Sequence, residues 1–188
     1  MNDPFLERVI QMAKVVRPVE QPSPGDWVAL ERDIGLALPS DLKQLVTELG
    51  SGHFGERWMF NPGASSKYTN FTRDQLFLFR EAVGPIVKEA ALPLYPESGG
   101  FIQVGFSGNR MDLLLRPGSS PETPYTLAWL EQDYYIAHRL EMTVSRFLHD
   151  LYLGKIEQEW ALTARDLVWG KNEAFFLPPD QFDFSGYD

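Results

Sequence analysis

The chain has 188 residues, enough for one domain with a real core, and its 44% hydrophobic and 23% charged residues fit a globular protein better than a disordered or membrane one. Zero cysteines remove disulfides, thiol catalysis and thiolate zinc sites, and the formal charge of −9 opposes direct nucleic-acid binding, which needs cationic surface against phosphates. No run of about 18 apolar residues reads as a transmembrane helix, and MNDPFLERVIQMAKVVRP lacks a signal peptide's apolar centre, so the expected location is the cytoplasm.

A first helix is expected from Asp3 to about Val16, with Phe5, Val9, Met12 and Val16 on one face and Pro18 ending it. Pro18 to Pro24 is a proline-rich linker. Ser23, Pro24 and Asp26 then spell a helix start: a cap, a first-turn proline and an acid three residues after the cap. Trp27, Leu30 and Ile34 share a face of this second helix, which Gly35 stops. Pro39, Ser40 and Asp41 open a third helix with a fixed φ, a capping hydroxyl and a carboxylate at the positive end. Leu42, Leu45, Val46 and Leu49 follow the i, i+3, i+4, i+7 rule, and Gly50 is read as a left-handed cap.

Trp58, Met59 and Phe60 read as a short buried strand that Asn61-Pro62-Gly63 breaks. Thr72 with Gln75 forms a capping-box pattern for a helix carrying Leu76, Phe79 and Val83, and Gly84-Pro85 is expected to stop it. Phe101 to Phe106 and Met111 to Leu115 form a hairpin across a four-residue loop, Tyr125 to Leu130 a third strand, and Tyr134 to Ala137 a fourth. Thr143 caps a closing helix with Val144, Phe147, Leu148 and Leu151 on one face, ended by Gly154. The predicted fold is therefore α+β: N-terminal helices, an antiparallel β-sheet and a closing C-terminal helix.

The chemical motifs are weak. Gly50-Ser51-Gly52-His53-Phe54-Gly55 matches G-x-G-x-x-G, but it follows a helix and precedes a strand, the reverse of a dinucleotide site, so a cap and tight turn are expected. Gly105-Phe106-Ser107-Gly108-Asn109 resembles a nucleophile elbow without its last glycine, in a hairpin setting, and His53, His138 and His149 have no spacing that favours one as a base. His149 is expected to be solvated or capping, and Asp112, alternating with Met111 and Leu113, to face solvent. No metal-ligand pattern is present in the sequence, so neither a metal nor a cofactor is expected. Trp129, Tyr134-Tyr135 and Phe182-Phe184-Tyr187 exceed what the core must hold. Beside acids such as Glu131, Asp133 and Asp180, they have the composition of a protein-binding surface.

The order Trp27, Glu31, Ile34-Gly35, Leu38-Pro39, a Leu-rich helix and Gly50-Ser51-Gly52 resembles the SUKH superfamily, named partly for the yeast Smi/Knr cell-wall-synthesis regulators. The aromatic strand Tyr125 to Trp129 and the Phe147-Leu148 pair extend the resemblance over 26–154, within an expected SUKH-like domain at 1–154. The loop around Tyr68 departs from the family pattern. Residues 155–188 lie beyond its usual end and are expected to pack back through residues such as Trp160 and Phe176. The resemblance implies structural roles for Trp27, Glu31, Leu38, Pro39, Gly50 and Gly52. It also implies a non-catalytic bacterial immunity protein that binds and occludes a toxin domain, often a nuclease, with a Smi/Knr-like scaffold role as the alternative. Residue type points to Gly52, His53, Phe54, Trp58, Glu131, Asp133 and Tyr134 as the partner surface. A hydrolase using Ser107 or a histidine is the reading from a third class.

Overall fold

A computed structural model describes residues 3–13, 18–54, 57–67, 69–89, 91–107, 111–121, 123–131, 136–156 and 176, with backbone alone at 57, 58, 89 and 107. The first helix, α1 (Pro4–Ala13), starts where the Asp3 carboxylate accepts the Phe5 amide at 2.9 Å. Its buried face is Leu6, Val9 and Ala13, rotated from the expected Phe5–Val9–Met12. The rotation arises because the Phe5 ring is drawn sideways, edge-on to His149 at 5.2 Å and under the Arg146 guanidinium at 5.5 Å. Val16 and the expected end of this helix lie outside the described residues.

Helix α2 (Pro24–Ile34) starts with the reciprocal bonds its sequence predicts: Asp26 N–H to Ser23 Oγ at 3.3 Å, and Ser23 N–H to Asp26 Oδ2 at 2.7 Å. It buries Trp27, Leu30 and Ile34, and Gly35 turns left-handed at φ 68°. Helix α3 (Ser40–Leu49) differs at its start. Pro39 occupies the cap position, so Ser40 is the first helical residue and its hydroxyl is not the cap; its amide is satisfied instead by the Pro121 carbonyl at 3.2 Å. Gly50 closes the helix at φ 72° and ψ −156°, which is not the left-handed cap expected. The cause is close approach: a Cβ there would stand 2.1 Å from the Val19 carbonyl oxygen, whose linker runs alongside as a parallel bridge.

Six antiparallel strands follow in chain order across one sheet: β1 (His53–Phe54), β2 (Arg57–Met59), β3 (Ile102–Ser107), β4 (Met111–Arg116), β5 (Thr126–Glu131) and β6 (Ile136–Leu140). The four long strands β3–β6 form the main sheet and the two short ones extend it, so the chain is α+β as its sequence predicts. β6 is described from Ile136, which pairs with Glu131; the expected Tyr134 and Tyr135 lie outside the described residues. Between β2 and β3 runs α4 (Arg73–Glu89), started by the Thr72 hydroxyl accepting the Gln75 amide at 3.2 Å. It does not stop at Gly84-Pro85. Val83, Ile86 and Val87 are buried against Phe101, Leu114, Ala128 and Leu130, and this burial carries the helix past the two residues least suited to its interior.

Helix α5 (Val144–Tyr152), capped by Thr143, buries Val144, Phe147, Leu148 and Leu151 as its spacing predicts. The sheet is thus covered on both faces. Ile102, Val104, Leu113, Leu115, Leu127 and Trp129 join a core with α1, α2, α3 and α5, while α4 covers the other face. Two expectations fall with this. Asp112 does alternate with Leu113, but its face lies under α4 and not in water; it is 2% exposed and accepts from Gln103 Nε2 at 2.6 Å. Trp129 is no surface aromatic: it is 1% exposed, with its ring 5.6 Å from that of Phe147. Tyr134, Tyr135, Phe182, Phe184 and Tyr187 lie outside the described residues.

Candidate functional site

The residues singled out at α2 and α3 hold the helical hairpin together. Trp27 Nε1 donates to Thr47 Oγ1 at 3.0 Å, across the two helices. One oxygen of Glu31 accepts both the Leu38 amide at 2.7 Å and the Lys43 ammonium at 2.8 Å. It thereby satisfies the backbone of the turn between them. Leu38, Pro39, Gly50 and Gly52 are buried around this turn and at the α3 exit.

Of the expected partner residues, Gly52, His53, Phe54 and Glu131 are brought to one end of the sheet but not to its surface. Strand pairing sets Phe54, Arg57, Ser107, Met111 and Glu131 in one row. Phe54 and Glu131 are then four strand spacings apart, roughly 19 Å. Gly52, His53 and Phe54 are buried, and Phe54 lies edge-on to Phe176 at 5.0 Å. Glu131 is buried as well, with its carboxylate 2.6 Å from His138 Nε2. These four residues therefore do not form an exposed partner surface: Phe176 from the C-terminal stretch packs on Phe54, and His138 of β6 engages Glu131. Trp58 pairs with His53 and Phe106 in β2; Asp133 and Tyr134 lie outside the described residues.

The titratable groups are similarly committed to the fold. His149 is not solvated; it is 3% exposed, with Nδ1 2.8 Å from Asp150, because α1 packs on the side of α5 that was expected to face water. Ser107 ends β3 and lies one strand, β2, away from His53, with His138 on the far side of the sheet. Glu20 would be raised by burial, but hydrogen bonds from the Ser51 and Ser65 hydroxyls and the Ser65 amide pull its carboxyl below the usual value. Among the described residues no three His, Asp or Glu side chains gather as a metal site.

A dense polar junction among the described residues was not legible in the sequence. The Tyr125 hydroxyl donates to Asp41 Oδ2 at 2.5 Å and accepts the Val144 amide at 2.7 Å. Asp3 Oδ2 accepts from Thr143 Oγ1 at 2.9 Å and Ser145 Oγ at 2.7 Å, so the starts of α1, α3 and α5 meet here. Burial raises the Asp41 carboxyl above its ordinary value, and the Asp3 charge adds to this; the bonds from Tyr125 and the first-turn amides oppose it without cancelling it. Burial and the Asp41 charge hold the Tyr125 hydroxyl in its protonated form. Nothing at Tyr125 distinguishes it in sequence from any aromatic that opens a strand.

Among the described residues, a concavity of about 570 Å³ lies between α4 and residues 91–97. Arg80, Glu81, Gly84 and Lys88 form the helix wall. On the adjoining outer face of α4, Leu78 is 66% exposed, and Ala82 and Pro85 are exposed beside it. Comparison of the chain with protein-family models, curated proteins and solved structures finds no match.

Proposed function

We propose that this chain is a non-catalytic protein-binding domain of the immunity type, which binds a toxin domain such as a nuclease and occludes it. The observation that carries the binding reading is the outer face of α4. Leu78, Ala82 and Pro85, at i, i+4 and i+7, are exposed where a solvent-facing helix ordinarily presents charges. The toxin reading rests on the SUKH-like order of residues and on charge, since an acidic chain attracts the cationic surface that a nuclease turns toward nucleic acid.

The charge is unevenly placed. Residues 157–188 hold seven acids and two bases, a net of −5, while 1–156 hold nineteen and fifteen, a net of −4. The near balance of the larger part favours a second reading, a Smi/Knr-like scaffold whose partner need not be basic.

The test is a pull-down of the tagged full chain from cytosolic lysate of a toxin-producing cell, at low and high salt, followed by a nuclease assay on the captured protein. The proposal expects one dominant basic partner, released by salt and inactive when bound in equimolar ratio. A captured partner that is neutral, or a nuclease that keeps its activity when saturated, excludes occlusion and favours the scaffold reading.

A further inference from the structure

We propose that β6 is a docking edge for a second copy of this chain, pairing antiparallel with its own counterpart about a two-fold axis through His138. This inference does not depend on what else the chain binds.

A sheet edge presents a row of backbone donors and acceptors, and an extended backbone is what matches such a row along its length. The occupant of an open edge is therefore a strand. At one end of the sheet, β1 is two residues long and both are buried. At the other, β6 runs for five residues, and among the described residues no strand lies against its outer side. Edges are ordinarily blunted by proline, by a bulge or by charges along the strand. The sequence of β6, Ile-Ala-His-Arg-Leu, has no proline, and its register with β5 is unbroken from Ile136 to Leu140. Arg139 is exposed, but so is Ile136, at 46%.

The residues of β6 select a copy of itself as that strand. Leu140 joins the core on one face of the sheet, and Ala137 packs toward the core under α4 on the other. Alternation puts Ile136 and His138 on the Leu140 face and Arg139 on the Ala137 face. Two antiparallel edges related by a two-fold keep these faces aligned, so opposed residues share a face and the axis passes through a residue. An axis at Arg139 sets guanidinium against guanidinium. An axis at Ala137 pairs only Ile136 to His138, and one at either end pairs a single residue. The axis at His138 pairs the whole strand. Ile136 then lies beside the partner's Leu140, apolar on apolar, and Arg139 beside the partner's Ala137, long against small. Each match occurs twice. At the axis, Glu131 lies 2.6 Å from His138 Nε2 within each copy, so charge on either imidazole is met before the two approach. The strand itself holds no acid, and the net charge of −9 on each chain is screened beyond about 8 Å at physiological ionic strength.

The test is sedimentation equilibrium of the full chain up to about 0.5 mM, which covers the weak association that one pair of short strands supports. A reversible dimer is expected. Ile136→Lys places a lysine on the edge at an already exposed position, and should weaken the dimer at least tenfold. The register is read by cross-linking, since the natural chain has no cysteine to interfere. Opposed residues have Cα atoms about 4.5–5.5 Å apart, within disulfide reach. Ala137→Cys and Arg139→Cys chains, mixed under oxidised glutathione, should therefore link to each other. Neither should link to its own kind, because residue 137 stands two positions along from its counterpart, about 8 Å away. If Ile136→Lys fails to fold, the cross-linking pair decides alone. A chain that stays monomeric, a dimer indifferent to a folded Ile136→Lys, or cysteines that link only to their own kind overturns the proposal.

Discussion

At the Tyr125 junction a single phenol satisfies an amide of α5 and a carboxylate of α3, groups 19 and 84 residues away from it in the chain. Tyr125→Phe removes both bonds while keeping the ring. It should cost about 1–3 kcal/mol, because the Val144 amide and the Asp41 carboxylate stay buried without their partner. Thermal unfolding of the variant checks this, and an unchanged melting temperature would refute the view that the bond holds α3 and α5 in place. Asp41 gives a pH test. Its carboxyl is raised above the ordinary 3.8, chiefly by burial. The fold therefore favours the protonated form, and this contribution to stability is complete below 3.8 and lost as pH rises through the folded value. Asp41→Asn removes the titration and keeps an acceptor for Tyr125. From pH 4 to pH 7 its stability should fall less than that of the natural chain, as denaturant unfolding at both values would record; parallel pH profiles would contradict the shift. The sequence shows Thr143 as a cap and Asp41 as a first-turn acid, but not that they converge, since local spacing carries no information about contacts made across such separations.

Among the elements, helices with a matched cap and apolar stripe were the most legible. Ser23 with Asp26, and Thr143 with Val144, Phe147, Leu148 and Leu151, are local patterns, and local patterns suffice where a helix starts and which face it buries. Two failures share one cause. Gly84-Pro85 reads as a stop, and Asp112 as solvent-facing, only if the far face of the sheet is open; α4 covers that face, and burial there outweighs propensity in the first case and hides the carboxylate in the second. Glu31 is the opposite kind of residue, one that sits on the helical hairpin and bonds within it. Its carboxylate serves the Leu38 amide, at a residue with no exposure, and the Lys43 ammonium. Glu31→Ala should destabilise the chain by about 1–3 kcal/mol, most of it from the amide left unsatisfied, and Glu31→Gln by less because an acceptor remains. Hydrogen exchange at Leu38 should quicken in the alanine variant in step with the loss. Exchange that stays slow would mean that water or another acceptor replaces the carboxylate.

For the molecule as a whole, the candidate surface moved from where residue type had put it to where the fold leaves it. His53, Phe54 and Glu131 looked like surface because aromatics and acids at loop edges often are, yet all three are buried, and Phe54 packs on a residue more than a hundred positions away. That residue is Phe176, 4% exposed, which belongs with Ile156 to the main core even though both lie past the 1–154 unit that the resemblance marks out. Phe176→Ala should therefore behave as a core truncation, costing about 3–5 kcal/mol. For a chain of this length each kcal/mol lowers the melting temperature by roughly 2–4 °C, so the shift is large enough to read directly. A chain ended at Gly154 should fall at least as far and expose Phe54 to solvent, seen as increased binding of a hydrophobic dye. If both variants melt with the natural chain, Phe176 rests on the surface of an independently stable unit, and the acid-rich residues around it are then available to a partner without any cost to the fold.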